Sequence, residues 1–230
     1  GADGLTLDGM SMERIEKLIE KLKDGMQIAL VTDAGTPGVS DPGEELVKQC
    51  YEAGIEVTSL PGPAACVTAL TISGLSTRRF CFEAFLPVDK KQRQWILEEL
   101  KEETRTIVIY EAPHHLVRTL KELSEVLGST RRITICRELT KKYEEAYRTT
   151  FEEAVSHYED EEPKGECVIV IEGRSISEMV EEQQKSWEDM TMEEHMDIYL
   201  DQGIDRKEAM KLVAKDRGIA KRDVYQSLLK

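Results

Sequence analysis

Paired cysteines, long apolar runs and an excess of positive charge are all missing from this chain, and each absence removes a class of function. The five cysteines (Cys50, Cys66, Cys81, Cys136 and Cys167) are scattered, odd in number and without a C-x-x-C pair. A reduced, core-filling role in the cytosol is expected of them, not a disulfide framework. No apolar run approaches a membrane span, and no signal peptide is visible. Lys and Arg number 31 against 45 Asp and Glu, a formal charge of −14. That balance excludes a surface that is wholly a nucleic-acid platform, because phosphate contacts need clustered cations. A local basic patch is still allowed, so the distribution of charge matters more than its sum.

Several chemical signatures are absent as well. There is no G-x-x-x-x-G-K-[ST] phosphate loop and no G-x-G-x-x-G after a strand, which argues against kinases, nucleotide hydrolases and dinucleotide oxidoreductases. His114 and His115 are adjacent and cannot both face one site from regular structure, while His157 and His195 stand alone, so no metal site is expected. No G-x-S-x-G nucleophile turn occurs either.

What is present is a soluble, well-charged chain of 230 residues, 40% hydrophobic and 33% charged, long enough for one large or two small domains. Its densest feature is DAGTPGVSDPG over residues 33–43, between the apolar run Ile28-Ala29-Leu30-Val31 and a helical segment from Glu44. Glycine lets such a loop bend and proline limits its freedom, and a polar loop leaving a strand for a helix is where open α/β sheets place ligands. An ordinary strand-to-helix turn is the competing explanation. A second proline-glycine loop, LPGPAA over 60–65, also follows a predicted strand.

In chain order, residues 1–10 lack periodicity and are expected to form a loop; the first residue is Gly1 and not Met. Ile15, Leu18, Ile19 and Leu22 predict a helix over 11–24, capped by Ser11 and ended by Gly25. A strand over 27–32, a helix over 44–53, a strand over 55–59 and a small-residue helix over 64–73 follow, which is doubly wound α/β grammar. Residues 75–79 read as a short hinge. Beyond it, strands are predicted at 80–85, 106–110, 132–137, 146–150 and 166–172, with helices at 92–103, 116–127 and 151–158. The expected domains are 1–77, an α/β domain with the cofactor loops, and 78–174, a second α+β domain. An acidic, solvated linker follows over 175–190. Residues 191–230 predict three short helices at 191–200, 205–215 and 221–229, a helix-turn-helix-like bundle in which the charge turns basic. Such a bundle on an acidic protein fits a nucleic-acid contact or, equally, a packing unit with solvated charges.

The runs VTDAGTPGVSDPG (31–43), SLPGPAACVTAL (59–70), SGL (73–75), RFCFEAFLP (79–87), IYEAPHH (109–115), CRELTKKYEE (136–145) and GECVIVIEG (165–173) together resemble the ribosomal RNA small subunit methyltransferase I family. The resemblance implies a tetrapyrrole-methylase-like two-domain fold with a small C-terminal helical bundle. It implies S-adenosylmethionine as cofactor, 2′-O-methylation of a cytidine in small-subunit ribosomal RNA and a homodimer; a cytoplasmic location is the default expectation where no signal peptide or membrane span is visible. The family normally opens with a strand and a glycine-containing cofactor loop that have no counterpart before Ser11, so the first domain is expected to be incomplete. Its usual YESPHR is YEAPHH here, with Ala112 and His115 at the changed positions.

Carried over by that resemblance, the cofactor-binding residues are Asp33, Ala34, Gly35, Thr36, Pro37, Ser40 and Asp41 in the first loop. Pro61, Gly62, Pro63, Ala64 and Ala65 join them from the second loop, with Tyr110 and Glu166, Cys167 and Val168 from the second domain. Methyl transfer gains from positioning the acceptor oxygen and from a base that takes its proton. Glu111, Glu138 and Lys141 are the candidates at strand ends, although an ion pair of Arg137 with Glu138 would serve structure alone. Lys90, Lys91 and Arg93, with Lys221 and Arg222 of the bundle, are the expected RNA contacts. Two rivals stand beside this reading: a tetrapyrrole (precorrin-type) methylase, and a truncated, non-catalytic fragment that binds RNA or protein.

Overall fold

An apolar period of 3.6 and a hydroxyl cap start the first helix. In the computed structural model, which describes residues 3–6, 11–161 and 163–229, α1 (Met12–Lys23) begins where the Ser11 hydroxyl accepts the Arg14 N–H at 3.3 Å. Its buried Ile15, Leu18 and Ile19 share a core with Leu46 and Cys50 of α2 (Gly43–Glu52). Two parallel strands, β1 (Asp3–Thr6) and β2 (Ile28–Val31), pair from Asp3 with Ile28 to Thr6 with Val31. The loop expected over 1–10 is therefore corrected at 3–6, while 1, 2 and 7–10 lie outside the described residues. Asp-Gly-Leu-Thr has weak intrinsic strand preference, and the ladder offered by β2 decides its state. The strand expected over 55–59 does not form. That stretch is irregular, and the Ile55 N–H instead closes α2 by donating to the Cys50 carbonyl at 2.9 Å. A β-prone run becomes a strand only beside a partner, and among the described residues none pairs with it.

After α3 (Ala65–Ile72) the chain builds a second sheet. Its elements are β3 (Phe80–Phe85), α4 (Lys90–Lys101), β4 (Thr106–Glu111), α5 (Pro113–Leu127), β5 (Arg132–Arg137), β6 (Glu145–Thr150), α6 (Phe151–Asp160) and β7 (Cys167–Ile171). The order is β3-β4-β7-β5-β6, with β3 and β4 parallel and the other pairs antiparallel. Alternate side chains sort to two faces, as the period of two requires. Ile107, Ile109, Ile133, Ile135, Ile169 and Ile171 pack with residues of α4, α5 and α6. Val108, Cys136, Val168 and Val170 pack with Cys66, Ala69 and Leu70 of α3. With both faces covered, the central strands read in sequence as unbroken apolar runs.

The hinge expected at 75–79 is tied to this sheet. Thr106 Oγ1 donates to the Ser76 carbonyl at 2.6 Å, and Thr134 Oγ1 to the Ser73 carbonyl at 2.8 Å. Buried threonine hydroxyls must find acceptors, and these find them on the connecting segment.

Gly1–Gly173 and Arg174–Lys230 form two compact units. The second contains α7 (Ile176–Ser186), α8 (Met192–Asp201), α9 (Arg206–Asp216) and α10 (Lys221–Ser227). Residues 175–190, expected as a solvated linker, are therefore mostly helical. Ser175 caps α7, yet no residue of that helix is buried. The remaining three helices enclose Met196, Ala209, Val213, Ala214 and Val224. His195 is fully buried and stacked on Trp187 with ring centroids 4.0 Å apart. Its Nε2 lies 3.3 Å from Asp216 Oδ2, and its Nδ1 accepts from Arg217 Nε at 3.0 Å. Burial, more than any neighbour, lowers its pKa, so it serves as a neutral packing residue.

Candidate active site

The loop leaving β2 is held by its own polar groups. Gly35 (φ 81°) and Gly38 (φ 84°) take the left-handed turns, and Ser40 takes a third at φ 61°. The Asp41 carboxylate accepts the Gly38 N–H through both oxygens (3.0 and 2.9 Å), and Oδ1 also accepts the Gly43 N–H at 2.7 Å. Asp41 is thus spent on shaping the loop and starting α2. Thr36 Oγ1 donates to the Pro63 carbonyl at 2.9 Å, which fastens the first proline-glycine loop to the second. Close approach requires glycine at 62, where a Cβ would stand 2.8 Å from Thr36 Oγ1. Asp33 and Ser40 remain exposed, and their side chains form no hydrogen bond among the described residues.

The second loop is fixed in turn to the sheet. Tyr110 on β4 accepts the Cys66 N–H at 2.9 Å through its phenol oxygen, satisfying one of the free donors at the start of α3. Burial, with that contact, pushes the Tyr110 hydroxyl up to about 12, so it keeps its proton for donation. Phe82 and Phe85 meet Tyr110 edge-on, with centroids 4.8 and 5.7 Å away. Three residues apart on a regular strand, they would point to opposite faces. A register shift between Phe82 and Ala84, with Ala84 at φ 52°, brings both to one face. These phenylalanines escaped the sequence reading because a bulge leaves no local pattern; the spacing in FCFEAF was the only available signal.

Strand direction assembles the rest. β3, β4 and β5 end, and β6 and β7 begin, at one edge of the sheet. That edge therefore gathers Lys90 and Lys91, Tyr110 and Glu111, Glu138 and Lys141, and Glu166 and Cys167. Their chemical states differ. Glu111 is buried: Oε1 accepts the Ala112 N–H at 2.8 Å and Oε2 accepts the Thr119 hydroxyl at 2.6 Å. Thr119 Oγ1 accepts from Arg93, whose Nε also pairs with Glu122 at 2.6 Å. Arg93 is therefore a tie between α4 and α5, in place of the surface cation expected from sequence. Lys90 and Lys91 are exposed and make no ion pair among the described residues.

Past β5 the chain turns through two left-handed non-glycine residues, Glu138 (φ 48°) and Thr140 (φ 64°). Glu138 Oε1 accepts the Glu166 N–H at 3.1 Å and Lys141 Nζ at 3.2 Å, while Lys141 also reaches Glu166 Oε2 at 3.0 Å. These bonds hold Glu138 below the usual carboxylate range, with the Lys141 contact largest. They hold Lys141 above its usual value, Glu166 first and Glu138 second. Lys141 thus remains a cation. Cys167 is buried and its thiol is pushed up to about 11 by burial, so it is inert packing. Val168 lies in the α3-facing core.

Lys221 and Arg222 lie in the second unit, at the start of α10. Arg222 Nε is 3.9 Å from Asp223 Oδ1 in a largely exposed pair. Among the described residues no group of three or more His, Cys, Asp or Glu could hold a metal ion.

The family model described as Tetrapyrrole (Corrin/Porphyrin) Methylases matches residues 5–155. The ribosomal RNA small subunit methyltransferase I of Halalkalibacterium halodurans is 47% identical over 210 residues, 91% of this chain and 72% of that protein. The chain belongs to the ribosomal RNA small subunit methyltransferase I family. Members with the same name from Bacillus subtilis and Synechocystis sp. are 46% and 42% identical, over 92% and 93% of this chain and 72% and 75% of theirs. Among solved structures, a cobalt precorrin-4 methyltransferase matches with a TM-score of 0.54 at 15% identity, over 73% of each chain. A diphthine synthase matches at 0.56 and 13%, over 72% of this chain and 68% of the other. Those two show the tetrapyrrole-methylase fold of this family member and nothing of its substrate.

Proposed function

We propose that the chain is an S-adenosylmethionine-dependent methyltransferase of small-subunit ribosomal RNA, acting on a cytidine 2′-hydroxyl. The observation that carries this reading is identity of 47% across 91% of the chain to a protein of that name. The chemistry of the paired loops fits the cofactor. Gly35, Ala34, Gly62, Ala64 and Ala65 offer backbone groups without side-chain bulk, next to Pro37, Pro61 and Pro63. The unengaged Asp33 and Ser40 suit an amine or hydroxyl, and the ring faces of Phe82, Phe85 and Tyr110 suit a cation. The bound cofactor would supply an already activated methyl group on sulfur.

What the protein adds is positioning. Thr36 and Tyr110 hold the two loops at a fixed separation. Of the candidate bases, Glu111 has both oxygens engaged and Lys141 keeps its proton, so both are assigned positioning roles. Glu138 stays ionised with Oε2 free of hydrogen bonds among the described residues, and is assigned the task of accepting the hydroxyl proton. Glu166 orients Lys141, while Cys167 and Val168 contribute through the strand's backbone and core. Lys90, Lys91, Lys221 and Arg222 are assigned to RNA phosphates, and a homodimer working on the small subunit in the cytoplasm completes the proposal. Residues 1–77 are read as the cofactor-loop domain, 78–174 as the second domain and 191–230 as an RNA-contacting bundle.

The test is transfer of labelled methyl from S-adenosylmethionine to small ribosomal subunits that lack the modification. Label in an alkali-resistant dinucleotide containing cytidine is the expected result. Label on a tetrapyrrole and not on RNA would overturn it. Calorimetry showing no cofactor binding would favour a non-catalytic RNA- or protein-binding role.

A further inference from the structure

The loop between β5 and β6, residues 138–144, presents a tyrosine that neither the fold nor the assigned chemistry uses. Tyr143 is 72% exposed, stacks on no other ring and makes no hydrogen bond among the described residues. Tyr51 and Trp95 are exposed too, so exposure by itself marks no site; the construction of the loop under Tyr143 sets this ring apart. The loop is built to hold it there. Two non-glycine residues sit at positive φ. The Thr140 N–H donates to Glu144 Oε2 at 2.6 Å, the Lys141 N–H to the Glu138 carbonyl at 2.9 Å, and the Glu144 N–H to the Lys141 carbonyl at 3.2 Å. Strain of this kind persists only where surrounding bonds over-determine it, and it collects at ligand sites.

Charge decides what kind of ligand the loop takes. Glu138 and Glu166 are engaged by Lys141, Glu144 by the Thr140 N–H, and Glu145 by Arg137. Cations and carboxylates therefore nearly cancel, and a phosphate clamp is not what the loop offers. It offers a π face. Lys142 Nζ stands 5.4 Å from the centroid of the Tyr143 ring and makes no ion pair among the described residues. One ring face is thus next to a cation, and the other is open. The loop rises from the same sheet edge as Tyr110, two strand spacings away in the order β4-β7-β5, or about 10 Å.

We infer that Tyr143 is a stacking platform for an unpaired nucleobase of the RNA, seating a nucleotide at the sheet edge with Lys142 beside it. The inference rests on the RNA reading of this site. It is tested on the full chain with Tyr143→Ala, Tyr143→Phe and Tyr143→Trp. For Tyr143→Ala, the KM for small subunits is expected to rise about tenfold to a hundredfold, the range of base–aromatic stacking. Cofactor affinity by calorimetry, sedimentation and the melting temperature should stay at wild-type values. Phe and Trp should restore KM, because each keeps a π face and lacks the phenol. An unchanged KM for Tyr143→Ala, a Phe variant as damaged as Ala, or a shift in sedimentation showing a contact between copies would each overturn it. Equilibrium binding of a short cytidine-rich single strand separates the two levels. Wild-type binding that Tyr143→Ala weakens supports stacking even if no methyl is transferred, whereas equal or absent binding in both proteins refutes it.

Discussion

The central strands of the five-stranded sheet and β2 are built from similar aliphatic residues, yet their environments differ sharply. Every residue of β7 is buried, as are all but Tyr110 of β4. β2 alternates between half-buried and exposed, and Val31, Val39, Val57 and Leu60 around it stay open to solvent. Central strands have a neighbour on each side and helices on both faces, whereas β2 has β1 alone among the described residues. The difference separates two tasks. Packing energy is concentrated in the larger sheet, and the proline-glycine loops are kept in place by single polar contacts, Thr36 to Pro63 and Cys66 to Tyr110. Binding segments are generally drawn from the less stable parts of a fold.

The largest effect should come from the larger core. Ile169→Ala, at a fully buried site, is expected to cost about 3–5 kcal/mol, against about 2 kcal/mol for Leu46→Ala between α1 and α2. Urea midpoints measure both, and equal losses would break the comparison. Gly173→Ala and Gly43→Ala sharpen it next. A Cβ at 173 would overlap the Thr104 backbone, which cannot move aside. At 43 it would meet Asp41 Oδ1 at 2.8 Å, Leu30 Cδ2 at 3.0 Å and the Gly38 backbone nitrogen at 3.1 Å, a milder overlap. Gly173→Ala should therefore lower the melting temperature more.

A smaller effect on stability, with a larger one on binding, is expected of Thr36→Val. Losing a half-exposed hydrogen bond costs about 0.5–1.5 kcal/mol. Because it frees one loop from the other, cofactor affinity by calorimetry should fall while the urea midpoint hardly changes. The smallest effect is acid-dependent and belongs to the turn between α4 and β4, at the opposite end of the larger sheet from the loops. Hydrogen bonding to Arg105, its largest influence, pulls the Glu103 carboxyl down to about 2. A depressed folded-state pKa contributes stability above the unfolded value of about 4.3, and that contribution is lost as pH falls towards the folded value. Glu103→Gln should thus lower the urea midpoint slightly at pH 7 and converge on wild type near pH 2.

Much of this was legible in the chain. The period of Ile15, Leu18 and Ile19 with a Ser11 cap predicted α1, and apolar runs predicted the strands of the larger sheet other than β6, whose Glu-Ala-Tyr-Arg-Thr-Thr carries a weaker signal. The loops that meet at Thr36 and Pro63 stood out because glycine and proline mark turns by their own backbone limits. Hidden from sequence were the roles that depend on a partner. Arg93 looks like a surface cation until Thr119 and Glu122 are placed beside it. Glu111 looks like a free base until Ala112 and Thr119 occupy its oxygens, and His195 looks solitary until Asp216, Arg217 and Trp187 enclose it.

By itself the sequence determined the helices other than α7, the strands of the covered sheet, the two rigid loops and the family, because periodicity, capping and turn chemistry are local and identity runs through most of the chain. Tertiary structure alone decided that residues 3–6 pair with β2, that 55–59 stays irregular, and that a bulge turns Phe82 and Phe85 toward Tyr110. It also decided which charged groups at the sheet edge are already engaged, leaving the Tyr143 ring in solvent. The physical reason is common to all of them: ladder bonds, ring contacts and ion pairs join residues far apart in the chain. None exists until the fold supplies the partner.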